Sequence, residues 1–539
     1  MLRILVLLLW PYLACSCPVS CECLSVGAVK CVGPRIMNVP RQMPSHMYLL
    51  QLNATNINVI NEQSLQNMDL MLRFSLTHDP LHTIHPLAFH AAPQLKSVKL
   101  SFNKLSTLPP KVFSPLADLE QLHLDANQLK IIPAEMLTGL TKLKDVDLNS
   151  NRISRLDAGV FNGLSNLTFL NLGGNSIREL PPTIFHSLTR LRRLLLYTNR
   201  LEVLDADLFS HLAMLADLKI HNNRIARLAP KVFWSLGNLE ILTLSSNQLQ
   251  GVPEKSFYHM PKLVKLTLYS NPLLSLPVLL MGHTPFIQEF YLYSTNLTTI
   301  PGNLFANMTG LLRLNFHLNS QLRELPAELF HELPKLEKLS LKFNDLHILH
   351  PELFSALTSL SLLYLNDNKL KSLPPTIFQN LKVVSIIYLN NNELKTLPGE
   401  IFHSNRVLGK LFLKANPWHC DCQIEATPAS TTTIPKPSPA PPSTPRSSID
   451  HRSLPFYDKL VFEQGPEFVH HNHHQGWVYV WTLPLDAAHA GFLMTSHILL
   501  VVTGALLIVA TMCGMYRLEK VMRELRVENK DGPYTVNNE

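Results

Sequence analysis

The stretch VKLSFNKLSTLPPKVFSPLADLEQLHLDANQL, residues 98–129, contains the pattern that determines the fold. Leu100 precedes Asn103 by three residues, and Leu124 precedes Asn127 by the same interval. The two asparagines are 127 − 103 = 24 residues apart. A fixed period of this length is typical of a chain built from stacked structural repeats rather than around one compact core.

The asparagine position of this pattern recurs in 16 copies between residues 55 and 416. One extra residue intervenes between Asn319 and Asn344, which are 25 residues apart. The pattern, LxxLxLxxNxL, is the leucine-rich repeat motif. In chain order the position is occupied by Thr55, Asp79, Asn103, Asn127, Asn151, Asn175, Asn199, Asn223, Asn247, Asn271, Thr295, Asn319, Asn344, Asn368, Asn392 and Asn416.

A phenylalanine position runs in phase with the asparagine position, and Leu137 and Met281 replace phenylalanine in two copies. Chance would not keep two residue types in phase with one period over more than 300 residues. The phenylalanines are Phe89, Phe113, Phe161, Phe185, Phe209, Phe233, Phe257, Phe305, Phe330, Phe354, Phe378 and Phe402.

The repeat has a direct physical interpretation. In each LxL segment the leucines point inward and the residue between them points outward, because side chains alternate along a strand. One repeat cannot bury its own apolar side, so neighbours share a core and pair their strands in parallel. The asparagine amide can donate and accept, so it can satisfy backbone groups at a bend. We expect weaker turns at Thr55, Asp79 and Thr295, and a bulge near Asn319.

These observations predict the fold class. We expect an α/β leucine-rich repeat solenoid, or horseshoe, of about 16 repeats with a parallel concave β-sheet. The phenylalanines would fill the convex side of its core. Because the core of a solenoid grows with the number of repeats, a chain of 539 residues does not require a series of compact domains.

Composition and hydropathy place this solenoid outside a cell. The formal net charge of +7 is mild over 539 residues and does not indicate nucleic-acid binding. Residues 1–16 have the basic start and apolar run of a signal peptide. Residues 498–516 are apolar and uncharged, long enough for one transmembrane helix, and the basic residues after them predict a cytosolic C-terminus. We therefore expect a single-pass type I protein of the plasma membrane with an extracellular N-terminus.

The remaining boundaries follow from changes in composition. Residues 426–450 are rich in Ser, Thr and Pro, which is typical of an extended, O-glycosylated stalk. The predicted order is signal peptide 1–16, Cys-rich N-terminal cap 17–47, leucine-rich repeats 48–419, truncated C-terminal cap 420–425, stalk 426–450, juxtamembrane segment 451–497, transmembrane helix 498–516 and cytoplasmic tail 517–539.

Cysteines are concentrated at the two ends of the repeats. Cys17, Cys21, Cys23 and Cys31 follow the predicted signal peptide, which indicates disulfides formed in an oxidising compartment; their spacing leaves three connectivities open. Their arrangement resembles the N-terminal cap of extracellular leucine-rich repeat proteins. That resemblance implies the pairs Cys17–Cys23 and Cys21–Cys31.

The C-terminal end departs from the same family pattern. The sequence Pro417-Trp418-His-Cys420-Asp-Cys422 resembles the opening of a C-terminal cap, but the two further cysteines of such a cap are missing. Either the cap is truncated, or Cys420 and Cys422 are free or pair with another chain, or the sequence reflects a splicing or gene-model error.

Several modification sites are predicted. Pro445-Arg446-Ser447 in the stalk would suit a trypsin-like protease that cleaves after Arg446; the alternative is an ordinary linker arginine. Four sequons predict N-glycosylation at the surface, at Asn53, Asn166, Asn296 and Asn307.

No enzymatic motif is present: the sequence has no HExxH, GxSxG, P-loop or GxGxxG in a strand-to-helix setting. We therefore predict a protein that is not an enzyme, with no catalytic residues, cofactor or metal site.

The concave sheet is suited to a large partner instead, since exposed aromatic side chains on a rigid face favour protein recognition. The alternative is that these rings pack on one another as a structural ladder. The predicted ligand-binding residues are Tyr269, Tyr291, Tyr293, Tyr364 and Tyr388.

The whole layout resembles the leucine-rich repeat subunits of the platelet glycoprotein Ib–IX–V receptor. Local runs carry the likeness, including LLLYTNRL at 194–201, LTLYSNPL at 266–273 and the irregular NFHLNSQL at 315–322. The resemblance covers almost all of the repeats and fails at the C-terminal cap.

This resemblance implies an adhesion receptor subunit that acts in platelet or thrombocyte adhesion and haemostasis. Its implied partners are an extracellular protein ligand, with von Willebrand factor as the ligand of that complex, and membrane subunits of the glycoprotein Ib and IX type. The alternative is a single-pass receptor or co-receptor in cell adhesion, synaptic organisation or innate immunity.

Overall fold

A computed structural model describes residues 17–24, 27–41, 43–44 and 46–419 of the chain. These residues belong to one compact unit, Met1–Ile434. Among them, no helix has the length and apolar character needed to cross a membrane. The predictions for residues 1–16 and 420–539, including Arg446 and the transmembrane helix, fall outside the described residues.

The described part of the chain forms 20 short strands separated by turns. In chain order they are β1 (Cys21–Leu24), β2 (Ala28–Val32), β3 (Leu49–Asn53), β4 (Val59–Ile60), β5 (Arg73–Thr77), β6 (Thr83–Ile84), β7 (Ser97–Lys99), β8 (Gln121–His123), β9 (Asp145–Asp147), β10 (Phe169–Asn171), β11 (Arg193–Leu195), β12 (Asp217–Lys219), β13 (Ile241–Thr243), β14 (Lys265–Thr267), β15 (Glu289–Tyr291), β16 (Arg313–Asn315), β17 (Lys338–Ser340), β18 (Leu362–Tyr364), β19 (Ile386–Tyr388) and β20 (Lys410–Phe412).

Eighteen of these strands form one sheet. From β2 onward, with β4 and β6 apart in a two-stranded sheet, each strand pairs in parallel with the next, one rung per repeat. The register follows the sequence period: Leu122 of β8 pairs with Val146 of β9, and Leu218 of β12 with Leu242 of β13. The predicted leucine-rich repeat solenoid with a parallel sheet is confirmed.

A single apolar core runs the length of the solenoid. The inward residue of each strand from β7 to β19 is fully buried. On the opposite side the phenylalanines stack along the axis, with centroids of neighbouring rings between 5.3 and 6.4 Å apart. Each rung therefore buries its apolar side against both neighbours, which no rung could achieve alone.

Buried asparagines satisfy the backbone between the strands and the turns. The Nδ2 of Asn127 donates to the carbonyl oxygens of Leu124 (3.0 Å) and of Leu100 in the preceding rung (2.8 Å). Its Oδ1 accepts from the backbone N–H of Leu105 at 3.0 Å. One side chain thus closes its own turn and ties it to the previous one.

The irregular rungs have fewer such bonds. The Oδ1 of Asn319 accepts from the N–H and the Oγ1 of Thr295 in the preceding rung, at 3.1 and 2.6 Å. The Nδ2 of Asn319 donates to that rung only through a 3.4 Å bond to Leu292 O. The extra residue lies in a turn at residues 320–321, and the strands on either side stay in register, with Leu314 paired to Leu339. The insertion is absorbed in the turn rather than in the sheet.

The α/β class is corrected to an all-β solenoid over the described residues, where no α-helix occurs. Between β7 and β8 the chain instead makes successive turns, with Val112 N–H bonded to Pro109 O, Ser114 to Lys111 and Leu116 to Phe113. The pair Pro109-Pro110 removes two backbone donors, and Lys111 has a positive φ of 58°, so a continuous helix is excluded there.

The N-terminal cap consists of β1 and β2. Disulfides join Cys17 to Cys23 and Cys21 to Cys31, with Cα atoms 5.8 and 4.0 Å apart, the pairs implied by the family resemblance. Strand β1 runs antiparallel to β2, and β2 leads into the parallel sheet through β3. The cap thus covers backbone groups that a free edge strand would leave unpaired.

Candidate protein-binding face

We call the outward-pointing side of the 18-stranded sheet the strand face. Tyr291, Tyr364 and Tyr388 are the last residues of β15, β18 and β19, whereas Tyr269 and Tyr293 lie two residues beyond the ends of β14 and β15. All five of these tyrosines are half-buried. The structure places four of them in two stacks on the C-terminal half of the strand face and leaves Tyr291 beside a charged cluster.

The first group is a stack of three rings. Tyr269 and Tyr293 lie 4.4 Å apart between centroids and 3° from parallel, and Tyr293 lies 4.4 Å from His317. His317 is buried, and burial, with the nearby charge of Lys342, lowers its pKa to about 3. Sequence reasoning did not single out His317, although its 24-residue spacing from Tyr293 was a usable signal.

Tyr291 lies beside a charged cluster rather than in the stack. Lys265 Nζ is 2.8 Å from Glu289 and 5.0 Å from the centroid of the Tyr291 ring, and Arg313 also pairs with Glu289. Burial opposes ionisation of Glu289, but the hydrogen bonds from Lys265 and Arg313 outweigh it and lower its pKa. Burial, followed by the Glu289 charge, raises the pKa of Tyr291 to about 12, so its hydroxyl stays protonated.

The second group is a stack on the last three rungs. The Tyr364 and Tyr388 rings are 4.6 Å apart, and Tyr388 and Phe412 are 4.3 Å apart with parallel planes. Phe412 is 39% exposed, and Lys342 Nζ lies 5.6 Å from the Tyr364 centroid. These rings form a continuous apolar strip with a cation at one border.

A further aromatic pair lies nearer the N-terminus and was not identified from the sequence as a pair. Tyr197 stacks on His221 with centroids 5.2 Å apart, and His221 Nδ1 is 2.8 Å from the Oγ1 of Thr243. Burial, with the charge of Lys219, lowers the His221 pKa to about 4. The neighbouring rung has Gly173 under the Tyr197 ring, where a larger residue would clash.

Acidic side chains occupy the strand face in the fourth and fifth repeats. His123 Nε2 is 3.3 Å from the Oδ2 of Asp145. Asp147 is held by the backbone N–H of Asn149 at 2.9 Å, and burial, together with the charge of Asp125, raises its pKa. The strand face is therefore acidic near the middle of its N-terminal half and aromatic towards its C-terminal end.

The arrangement is suited to contact rather than to bond chemistry. Stacked rings present a large, rigid and partly apolar surface that loses little conformational entropy when covered. Four of the five predicted tyrosines do pack on a neighbouring ring, as the structural alternative expects. The stacked rings still present their outer edges on the strand face, so packing between rings does not prevent them from binding a protein ligand. Ligand binding by these tyrosines stays a prediction.

The four predicted glycosylation sites differ in accessibility. Asn296 is exposed. Asn166 is half-buried, and its Nδ2 donates to Thr141 O at 2.9 Å. Asn307 is half-buried and donates to Met281 O at 3.1 Å. Asn53 is half-buried and accepts at its Oδ1 from the Oγ1 of Thr77 at 3.1 Å.

Comparison with known proteins agrees with the fold. A family model described as "Leucine rich repeat" matches most of the repeat region. The matched residues are 71–129, 122–177, 170–225, 214–273, 285–346, 319–370 and 358–417.

Two curated relatives are similar over a short stretch. Leucine-rich repeat-containing protein 3 of Rattus norvegicus is 31% identical over 80 residues, 14% of this chain and 31% of the relative. The protein of the same name from Bos taurus is 33% identical over 88 residues, 16% of this chain and 34% of the relative. The chain thus spans about a third of the length of these relatives.

Two solved structures share the architecture more widely. A leucine-rich repeat protein of Leptospira interrogans superposes with a TM-score of 0.56 at 25% identity, over 71% of this chain and 88% of that chain. Toll, in the Drosophila Toll–Spätzle complex, superposes with a TM-score of 0.58 at 23% identity, over 73% of this chain and 51% of that chain. Both comparisons indicate a shared fold.

Proposed function

The chain belongs to the leucine-rich repeat family, and from that premise we propose that it is a cell-surface receptor subunit that binds an extracellular protein ligand. The aromatic stacks of the C-terminal strand face carry this proposal. Tyr364, Tyr388 and Phe412 present a rigid apolar strip, and Lys342 and Lys410 supply charge beside it. Rigid aromatic anchors next to charged groups are the usual centres of binding energy at protein interfaces.

The fold supports this proposal without deciding the ligand. Toll has a similar solenoid, and its solved structure is a complex with Spätzle, a protein. A sheet built from identical rungs offers a wide surface whose outward residues can change without disturbing the core. The aromatic residues of the last rungs are such outward residues.

A more specific role follows from the sequence resemblance to platelet glycoprotein V. In that role the chain is a single-pass subunit in the plasma membrane of platelets or thrombocytes. It acts with subunits of the glycoprotein Ib and IX type in adhesion to von Willebrand factor, and hence in haemostasis. The support for this role is the layout of the chain and the local runs at 194–201 and 266–273.

The binding surface is tested with the full chain co-expressed with glycoprotein Ib and IX type subunits and von Willebrand factor as the probe. We expect Tyr364→Ser with Tyr388→Ser to weaken binding about tenfold or more, since loss of a central aromatic anchor costs roughly 2 kcal/mol. Tyr258→Ser is the matched control, because Tyr258 is 41% exposed in a turn away from the strand face.

The outcomes test the haemostatic role and the assignment of the binding surface separately. Failure to co-purify with these subunits from thrombocytes would overturn the haemostatic role. Cross-linking of the strand-face tyrosines to a different extracellular protein would then support a receptor in another pathway. Equal binding by the double variant and the Tyr258 variant would overturn the assignment of the surface.

A further inference from the structure

A second surface lies in the turns that follow the strands in the fifth to eighth repeats. Six arginines emerge there from four successive turns, all of them exposed. We call this set the arginine ridge. It consists of Arg152, Arg155, Arg178, Arg200, Arg224 and Arg227.

Backbone hydrogen bonds between rungs fix the position of this ridge. The N–H of Arg152 donates to Leu129 O at 2.9 Å, and the N–H of Arg200 donates to Ile177 O, also at 2.9 Å. Arg155 pairs in parallel register with Ile131 of the previous turn. Since paired strands lie about 4.8 Å apart, four successive rungs set the arginine Cα atoms along roughly 14 Å of the solenoid axis.

The ridge is a concentration of unpaired positive charge. Among the described residues, none of its arginines forms an ion pair. Some cations elsewhere on the solenoid are matched, as Lys144 is to Glu120 and Lys369 to Asp345, but the ridge differs in having arginines without an ion pair, within the described part of the chain, on each of four successive rungs. Two glutamates, Glu179 and Glu202, lie in the same turns, so the ridge keeps a net positive charge. Three aspartates border it further along the turns, namely Asp157, Asp205 and Asp207.

The chemistry of the ridge favours a linear polyanion over a folded protein. A protein interface needs an apolar centre, and in these four turns Val203 is the only large hydrophobic residue that is exposed among those described. The guanidinium group offers a planar fork of donors that matches an oxyanion with two parallel hydrogen bonds. One or two such forks on each of four successive rungs match a chain that carries anionic groups along its length.

We propose that the arginine ridge binds a sulfated polysaccharide that runs along the solenoid axis. The ridge lies in the turns after the strands rather than on the strand face, so this inference does not depend on the protein ligand proposed above. Because exposed charges interact over about 8 Å at physiological ionic strength, the binding should weaken steeply as salt is added.

The test uses the full-length chain and immobilised heparin as the sulfated probe. The ridge variant replaces three exposed arginines, Arg152→Ala, Arg200→Ala and Arg224→Ala. The control variant has the same change in charge on the opposite flank, Lys335→Ala, Lys382→Ala and Arg406→Ala, all at exposed positions. We expect the ridge variant to bind heparin roughly tenfold more weakly, from about 0.5 kcal/mol for each exposed cation, and the control to change by less than about twofold.

Every result bears on the proposal. Selective loss in the ridge variant, with weak binding of hyaluronan, which is carboxylated but not sulfated, would support it. Equal losses of heparin affinity in the two triple variants would show that net charge alone attracts heparin, and would overturn the proposal. If an acidic peptide displaced heparin at a lower concentration than free heparin does, the proposal would be overturned in favour of a protein ligand. Unaltered heparin binding by the ridge variant would also overturn it, because the heparin site would then lie elsewhere.

Discussion

The ring of His317 lies flat against the ring of Tyr293, with centroids 4.4 Å apart and planes 9° from parallel. His317 is 6% exposed, and its Nδ1 has no hydrogen-bond partner in the described part of the chain. A protonated imidazole in this position would be a buried charge beside Lys342, which explains the low pKa of about 3. The histidine is therefore neutral in the folded protein over the whole physiological range.

This burial makes stability depend on pH. Because the pKa of His317 is about 3 in the folded chain and near 6.5 when unfolded, the unfolded chain binds a proton that the folded chain does not. Stability is unaffected by this group above about pH 6.5 and falls as the pH drops towards 3. We expect this group to lower the free energy of unfolding by about 2 kcal/mol at pH 5 relative to pH 7.5. The loss would appear as a lower thermal unfolding midpoint at pH 5 than at pH 7.5.

The variant His317→Phe keeps a ring in the stack and removes the proton-binding group. Its midpoint should fall less between the two pH values than that of the unaltered chain. His90→Gln, at an exposed position, is the control and should leave the difference unchanged. His221, with a pKa of about 4, acts in the same direction in all three proteins and so cancels. An equal fall in the His317→Phe variant would contradict the assignment.

The asparagine position supplies a second prediction. Asn127→Ala leaves the buried N–H of Leu105 without its acceptor and removes one of the two asparagine donors to each of the carbonyl oxygens of Leu100 and Leu124. We expect the free energy of unfolding to fall by about 2–4 kcal/mol. Asn303→Ala, at an exposed position, should change it by less than about 0.5 kcal/mol. Similar small losses in both variants would show that the turn does not rely on the amide.

Periodicity explains how much of this architecture could be read from the sequence. Asn127 and Phe113 belong to columns repeated along the chain, so their burial and partners follow from one stacking rule. The register of the strands was predictable for the same reason. Periodicity did not predict the backbone conformation at positions where the residue type varies from rung to rung.

The residue before each asparagine shows this limit. Phe102, Thr198 and Asn222 all have positive φ, at 57°, 53° and 57°, although none of them is glycine. The bonds on either side force the left-handed conformation, and the sequence has no common signal for it. The aromatic stacks mix residue types, since Tyr293 packs on His317 as well as on Tyr269, and Tyr388 on Phe412 as well as on Tyr364. Their 24-residue spacing was the signal that the sequence did contain. Stacking depends on which neighbours share a column, not on residue type alone.

The glycosylation sites yield a third prediction. Asn296 and Thr298 are both exposed, so this sequon should carry a glycan in the mature protein. At Asn53 the sequon's Thr55 is 4% exposed and donates its hydroxyl to Asp79, so we expect no glycan there. Peptide mapping by mass spectrometry after enzymatic release of N-glycans would measure both. Thr298→Ala should remove the glycan at Asn296, and a fully occupied Asn53 would contradict the role given to burial.

The last prediction concerns the room that Gly173 leaves for Tyr197. A Cβ at Gly173 would lie 2.7 Å from the Cζ of Tyr197, closer than non-bonded carbons approach. The ring cannot move freely, since it is half-buried and stacked on His221. We therefore expect Gly173→Ala to lower the free energy of unfolding by about 1–3 kcal/mol, the usual cost of overpacking. Gly251→Ala is a matched control, because a Cβ there meets nothing within 4 Å and should leave stability nearly unchanged. In the Tyr197→Ser background the clash is absent, so Gly173→Ala should cost much less, and an undiminished cost would show that the backbone rather than the ring requires glycine.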